Sequence, residues 1–205
     1  VILFFLSIIL RTKLIKKRFF ILGFIILLIF SNTFIYNLVN DLWLVKFEKT
    51  KPMPTYLIAY TVGPFDSAEL EGLSVPGKIY VPKGYADKTK FVVKHTPEIL
   101  ASLEDFFDIK YPYKKLDFVA VPNFTHGAME NVGLITYRDS LLLLEDEPGL
   151  TERKGPLNVI AHELAHQWFG NLVTMKWWND LWLNESFATF MATKIVDKFY
   201  ALCVY

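Results

Sequence analysis

Residues 156–171 read Pro156-Leu157-Asn158-Val159-Ile160-Ala161-His162-Glu163-Leu164-Ala165-His166-Gln167-Trp168-Phe169-Gly170-Asn171. Gly155-Pro156 opens a predicted helix that runs to about Phe169 and stops at Gly170-Asn171; proline is tolerated in a first turn because its missing N–H has no partner there anyway. On that helix His162 and His166 lie one turn apart on the same face, so both imidazoles can converge on one ion. Zinc takes histidine nitrogen readily, and a catalytic zinc uses three protein ligands with one position left open. Glu163 follows the first histidine and is placed to act as general base for the attacking water. An isolated H-E-x-x-H pattern can also fall on an ordinary surface helix. Here Val159, Ile160 and Ala161 precede it and Trp168 and Phe169 follow it. Two histidines and a glutamate in such apolar company are unfavourable unless bonded. One metal ion satisfies them together.

A third ligand is needed, and the candidate is Glu185 in Leu183-Asn184-Glu185-Ser186. It sits at the start of the last predicted helix, which runs from near Asn184 towards Phe199. Gly170-Asn171 and Trp177-Trp178-Asn179-Asp180 lie between and give the chain room to turn back. Asp180 and Asn184 are candidates for orienting a ligand histidine from behind. Trp177, Trp178 and Trp182 are expected to pack the two helices together.

Working towards the N-terminus, Val132–Tyr137, Leu116–Val121, Lys78–Val81 and Tyr56–Val62 read as strands. Thr96–Phe107 reads as a helix, with Ile99, Leu100, Leu103, Phe106 and Phe107 at helical spacing and Pro97 and Glu98 in its first turn. His95 is expected at the surface, and Glu145-Asp146-Glu147 as a solvated turn. Strands first and helices after predict an α+β arrangement.

The front of the chain differs from the rest. Residues 1–40 contain no Asp or Glu and carry five basic residues in one block: Arg11, Lys13, Lys16, Lys17 and Arg18. Phe19–Phe30 is apolar throughout if Gly23 is counted, and the apolar character continues to Val39. About 20 apolar residues cross a bilayer, so a transmembrane helix is expected at 19–39, with the basic block cytoplasmic and everything after residue 40 outside. A cleaved signal peptide shares this order, but no clear small-residue cleavage site follows Phe30. If the leader is foreign to the chain, a cytoplasmic location is the alternative. Residues 41–205 hold 17 Lys and Arg against 21 Asp and Glu, a mildly acidic balance with no basic footprint for nucleic acid. The single cysteine, Cys203, excludes an internal disulfide framework and a cysteine-based metal site. With Val1 first and Tyr205 last, the chain reads as a fragment at both ends.

A second motif, Gly127-Ala128-Met129-Glu130-Asn131, precedes the first. The two in this order, the first embedded in Trp168-Phe169-Gly170-Asn171 and Trp177-Trp178-Asn179-Asp180, resemble the M1 family of zinc aminopeptidases, of the gluzincin class. The resemblance covers about Phe47 to Phe199. It implies one Zn²⁺ held by His162, His166 and Glu185, Glu163 as general base, and peptides with a free N-terminus as substrates. It implies that Glu130 pairs with the substrate α-ammonium and that Gly127, Ala128, Met129 and Asn131 complete the substrate loop, with the backbone of Gly127 and Ala128 binding the substrate main chain. It implies a partial thermolysin-like catalytic domain over 73–205, preceded at 47–72 by the end of an N-terminal β domain that includes Lys51-Pro52-Met53-Pro54-Thr55-Tyr56. Val132 and Ser186 stand where the family commonly has Trp and Gly. The family's oxyanion-stabilising tyrosine lies downstream of the last ligand, beyond this fragment. A zinc-bearing, membrane-tethered remnant without turnover is therefore the competing reading. A thermolysin-like endopeptidase is disfavoured by Glu130, whose carboxylate would close the cleft to a through-running chain. His126, just before the loop, either touches substrate or makes a local hydrogen bond.

Overall fold

A computed structural model describes residues 17–18, 20–26 and 49–201, with side chains to Lys198. Contacts divide the chain into two units, Val1–Lys51 and Pro52–Tyr205. In the first, residues 20–26 are helical. Most of the spanning helix expected at 19–39 lies outside the described residues. Among the described residues no helix is long and apolar enough to cross a membrane.

In the second unit, five strands form one mixed sheet: β1 (Phe65–Glu69), β2 (Lys78–Pro82), β3 (Asp117–Val121), β4 (Ala128–Met129) and β5 (Leu134–Arg138). Their spatial order is β1-β2-β3-β5-β4. The inner three are parallel, and the edge strands β1 and β4 pair antiparallel. Parallel neighbours require a crossover, and helix α1 (Lys90–Phe107) supplies the one between β2 and β3. Alternation along the strands places Ile79, Val81, Phe118, Ala120, Ile135 and Tyr137 in the core, all with no exposed surface. β1 pairs with β2 along its whole length, so residues 65–69 share a sheet with the segment that follows.

Three expectations about elements change. Tyr56–Val62 is not a strand: Thr55–Leu57 form a 3₁₀ turn, and the strand begins beyond Gly63-Pro64. Only Leu57 of this stretch is fully buried, while Ile58, Tyr60 and Val62 are exposed. Helix α1 starts at Lys90 and carries Pro97 inside it. The buried stripe Phe91, Val92, Thr96, Ile99, Leu103 begins well before the proline. Burying two more large apolar side chains at about 1.5–3 kcal/mol each offsets a proline penalty of about 3 kcal/mol. The helix bearing the two histidines, α3 (Leu150–His166), likewise starts before Gly155-Pro156. Glu152 Oε2 accepts the Gly149 N–H at 3.0 Å and caps its first turn. A short helix α2 (Asp139–Leu142) precedes it, and α4 (Leu181–Ala201) follows.

Helices α3 and α4 pack on one another, and both place small residues in the core. Ala161 and Ala165 of α3 and Ala188 and Ala192 of α4 belong to one core and are fully buried. Trp177, Trp178 and Trp182 do not pack these helices together, being 66%, 54% and 63% exposed. The buried tryptophan is Trp168, stacked on Phe107 at 5.2 Å. His95 is half-buried against Phe91, with ring centroids 4.5 Å apart. Glu145 and Asp146 are exposed as expected and pair with Lys88 and Lys90.

Candidate metal centre

The chain leaves α3 through a tight reversal. Gly170 takes φ +129°, and a Cβ there would lie 2.9 Å from His166 Nδ1. Only glycine fits this position without moving the imidazole. The reversal turns the backbone so that α4 returns along α3, and Glu185, in the second turn of α4, meets the two histidines.

Three atoms then form a small triangle. His166 Nε2 lies 3.0 Å from His162 Nε2, His162 Nε2 lies 3.2 Å from Glu185 Oε2, and His166 Nε2 lies 3.5 Å from the same oxygen. Two ligands each about 2.0–2.1 Å from a zinc in tetrahedral geometry are about 3.3 Å apart, so the triangle fits that ion. The far side of each ring is also occupied. His166 Nδ1 lies 3.2 Å from the Phe169 carbonyl, which can only accept, so Nδ1 carries the hydrogen and Nε2 presents a lone pair. His162 Nδ1 lies 3.4 Å from Thr189 Oγ1. With both Nε2 atoms and Glu185 Oε2 within 3.5 Å of one another, a shared cation would satisfy all three at once. Burial opposes protonation of His166, but Glu185, Glu130 and Glu163 outweigh it and hold its pKa up. Hydrogen bonding to His162 and His166 holds the Glu185 carboxyl well below the usual carboxylate range.

Glu163 stands apart from the triangle. Its side chain is buried, and Oε2 has no hydrogen-bond partner among the described residues. Burial, opposed by His166 and reinforced by Glu130 and Glu185, pushes its pKa up to about 8. A carboxyl raised in the folded state favours folding while protonated. That contribution is lost as pH rises from its ordinary 4.5 through about 8. The metal-free Glu163→Gln variant is therefore expected to be more stable than the unsubstituted chain. The gap should open above pH 4.5 and level off above pH 8, reaching up to about 5 kcal/mol. Urea melts in chelator across this range check it; an equal gap at both ends would show that ionisation of Glu163 is not the cause.

The second motif forms the opposite wall. Ala128 and Met129 are the edge strand β4, opposite Tyr137 and Thr136 of β5, and the Gly127 carbonyl accepts the Arg138 N–H at 2.8 Å. Among the described residues the outer edge of β4 has no partner strand, and such an edge can accept an extended peptide main chain. Within the chain Gly127 has room for a Cβ, its nearest atom being Leu141 Cδ1 at 3.9 Å, so the fold itself does not demand glycine there. Glu130 is buried, and no described group hydrogen-bonds its carboxylate. Asn131 braces the loop from behind: its amide donates to the Tyr56 carbonyl at 3.4 Å, and it accepts from Thr136 Oγ1 at 3.0 Å.

One cleft of about 460 Å³ joins these walls, lined by Gly127, Ala128, Met129, Glu130, His162, Glu163, His166 and Glu185, with Asn158, Val159 and His126 at its sides. Of the residues expected to form the site, Asn131 alone is not in the lining. His126 makes no hydrogen bond among the described residues and faces Phe124 edge-on at 6.2 Å. The groups hydrogen-bonded behind the histidines are Phe169 and Thr189, and neither Asp180 nor Asn184 is among them. Sequence reading missed Thr189; its placement one helical turn beyond Glu185 on α4 was the available signal.

The Peptidase family M1 domain matches residues 91–204. The chain belongs to peptidase family M1. It is similar to Aminopeptidase M1-D of Oryza sativa subsp. japonica, 46% identical over 160 residues, covering 76% of this chain and 18% of that protein. It is 50% identical over 147 residues to Endoplasmic reticulum aminopeptidase 2 of Bos taurus, covering 71% of this chain and 15% of that protein. It is 45% identical over 155 residues to Glutamyl aminopeptidase of Bos taurus, covering 74% and 16%. The chain thus spans less than a fifth of the length of these M1 relatives, and the residues matched by the family domain carry both motifs.

Proposed function

We propose that this chain carries the catalytic centre of a zinc-dependent aminopeptidase, within part of a thermolysin-like domain, that releases single residues from peptide N-termini. The observation that carries the reading is one cleft bounded on one side by the His162–His166–Glu185 triangle and on the other by the unpaired carboxylate of Glu130. His162, His166 and Glu185 would hold the ion. When bound, zinc supplies Lewis-acid polarisation of a carbonyl and a lowered barrier to deprotonating water. Glu163 Oε2 takes the proton of the attacking water and delivers it to the leaving amine. Positive charge on the triangle lowers the unfavourable burial of its ionised form, which suits a base working near neutral pH. Glu130 pairs with the substrate ammonium through charge-assisted hydrogen bonds, and the edge of β4 holds the main chain behind it. Together they fix which peptide bond reaches Glu163. The named relatives are aminopeptidases, which supports the same reading.

The test is hydrolysis of an aminoacyl anilide by the zinc-loaded chain, beside its N-acetylated counterpart, with zinc counted per chain. Cleavage of the free amine only, at one zinc per chain, is the expected result. Equal rates on both substrates would point to an endopeptidase. One bound zinc without turnover would leave a metal-binding remnant.

A further inference from the structure

We infer that Gln167 and Asn171 form a clamp that sets the position of Glu130 relative to the metal centre, making both of them positioning residues for the proposed reaction. The inference rests on the aminopeptidase reading of the site. The Glu130 carbonyl accepts two side-chain amides, Gln167 Nε2 at 3.0 Å and Asn171 Nδ2 at 2.8 Å. The same Gln167 Nε2 donates to the Glu163 carbonyl at 3.2 Å. One amide therefore touches the main chain of both the proposed base and the proposed ammonium-binding residue. Asn171 closes the circuit, since its own N–H donates to the carbonyl of His166 at 3.0 Å. Two hydrogen bonds in series thus connect a metal-binding residue to Glu130.

Among the described residues no other hydrogen bond holds Glu130 on that side. The β4–β5 pairing ends at Met129, and the braces on Asn131 and Val132 come from Tyr56, Leu57 and Thr136 at the back of the loop. Gln167 has no exposed surface, and Asn171 is 2% exposed. Each also buries an amide oxygen, Gln167 Oε1 and Asn171 Oδ1, with no partner among the described residues. An unsatisfied buried acceptor costs about 1–3 kcal/mol, so these amides are poor choices for stability alone. Gln167 is a good choice for bridging the Glu130 and Glu163 carbonyls, which needs an NH₂ group with two donors, and Asn171 links Glu130 to His166 by its side-chain and backbone N–H groups together. An exopeptidase has to measure one residue from ammonium to scissile bond, and a displacement of about 1 Å can lower the rate about 10²-fold.

The test is the pair Gln167→Met and Asn171→Leu, near-isosteric changes that remove the donors, made singly and together in the zinc-loaded chain. Hydrogen exchange over residues 128–134, measured without substrate, is expected to quicken at least ~10-fold in the double variant, with zinc still at one per chain. For an aminoacyl anilide, KM is expected to rise at least ~10-fold and kcat/KM to fall about 10²-fold. A merely structural loss would reduce the active fraction and lower kcat at unchanged KM. Exchange and KM both at unsubstituted levels in a folded, zinc-loaded variant would overturn the clamp. If the double variant does not fold, the single variants carry the same comparison. If the unsubstituted chain hydrolyses nothing, the aminopeptidase reading falls, while exchange over 128–134 still decides whether the clamp holds the loop.

Discussion

Glu163→Gln is expected to keep its metal and to lose roughly 10²–10⁴-fold in kcat/KM, the usual contribution of a positioned general base. Glutamine has the same shape and can still occupy the buried niche, but it cannot take a proton. The three atoms of the triangle are untouched by the change, since Glu163 contributes none of them. Metal binding and turnover therefore separate in this variant. An anilide assay with zinc counted per chain measures both. Turnover at the unsubstituted level would remove Glu163 from the role of base, and loss of zinc along with activity would mean that its carboxylate helps hold the ion.

His166→Ala is expected to abolish both together. His166 is 1% exposed at its side chain, stands at the 3.0 and 3.5 Å edges of the triangle, and has its ring fixed by the Phe169 carbonyl. Losing a partner behind a metal ligand typically lowers metal affinity 10–100-fold, so losing the ligand itself should exceed about 10²-fold. Activity should fall to background at zinc concentrations that saturate the unsubstituted chain. Competition against a chromogenic chelator gives the affinity directly. A His166→Ala chain that binds one zinc as tightly as before would place the metal elsewhere. The two variants read together distinguish a proton-transfer group from a metal-holding group.

The chemistry was legible where it depends on helical periodicity. The four-residue spacing of His162 and His166 places both rings on one face of any α-helix, whatever surrounds it. Three strands were legible as well: β2, β3 and β5 lie within two residues of their expected starts, whereas β1 and the two-residue β4 were not read as strands. Prolines misled: Pro97 and Pro156 read as helix starts, yet both lie inside helices whose first turns are secured by burial in one case and by Glu152 in the other. The tryptophans misled for a related reason. A large aromatic suggests burial, but alanines of α3 and α4 are buried in the common core while Trp177, Trp178 and Trp182 remain at the surface.

Local sequence determined which residue types could serve a metal, a proton and an ammonium, because those capacities belong to the side chains themselves. It also determined the pairing of His162 with His166, since one turn of helix is a local constraint. Tertiary structure alone decided that Glu185 closes the triangle at 3.2 and 3.5 Å, that Glu130 faces the same cleft, and that Gln167 and Asn171 hold its carbonyl. These contacts join segments separated by many residues. Their distances depend on how closely α3 and α4 pack, on the reversal at Gly170, and on the register of a two-residue edge strand, none of which any single stretch of chain encodes.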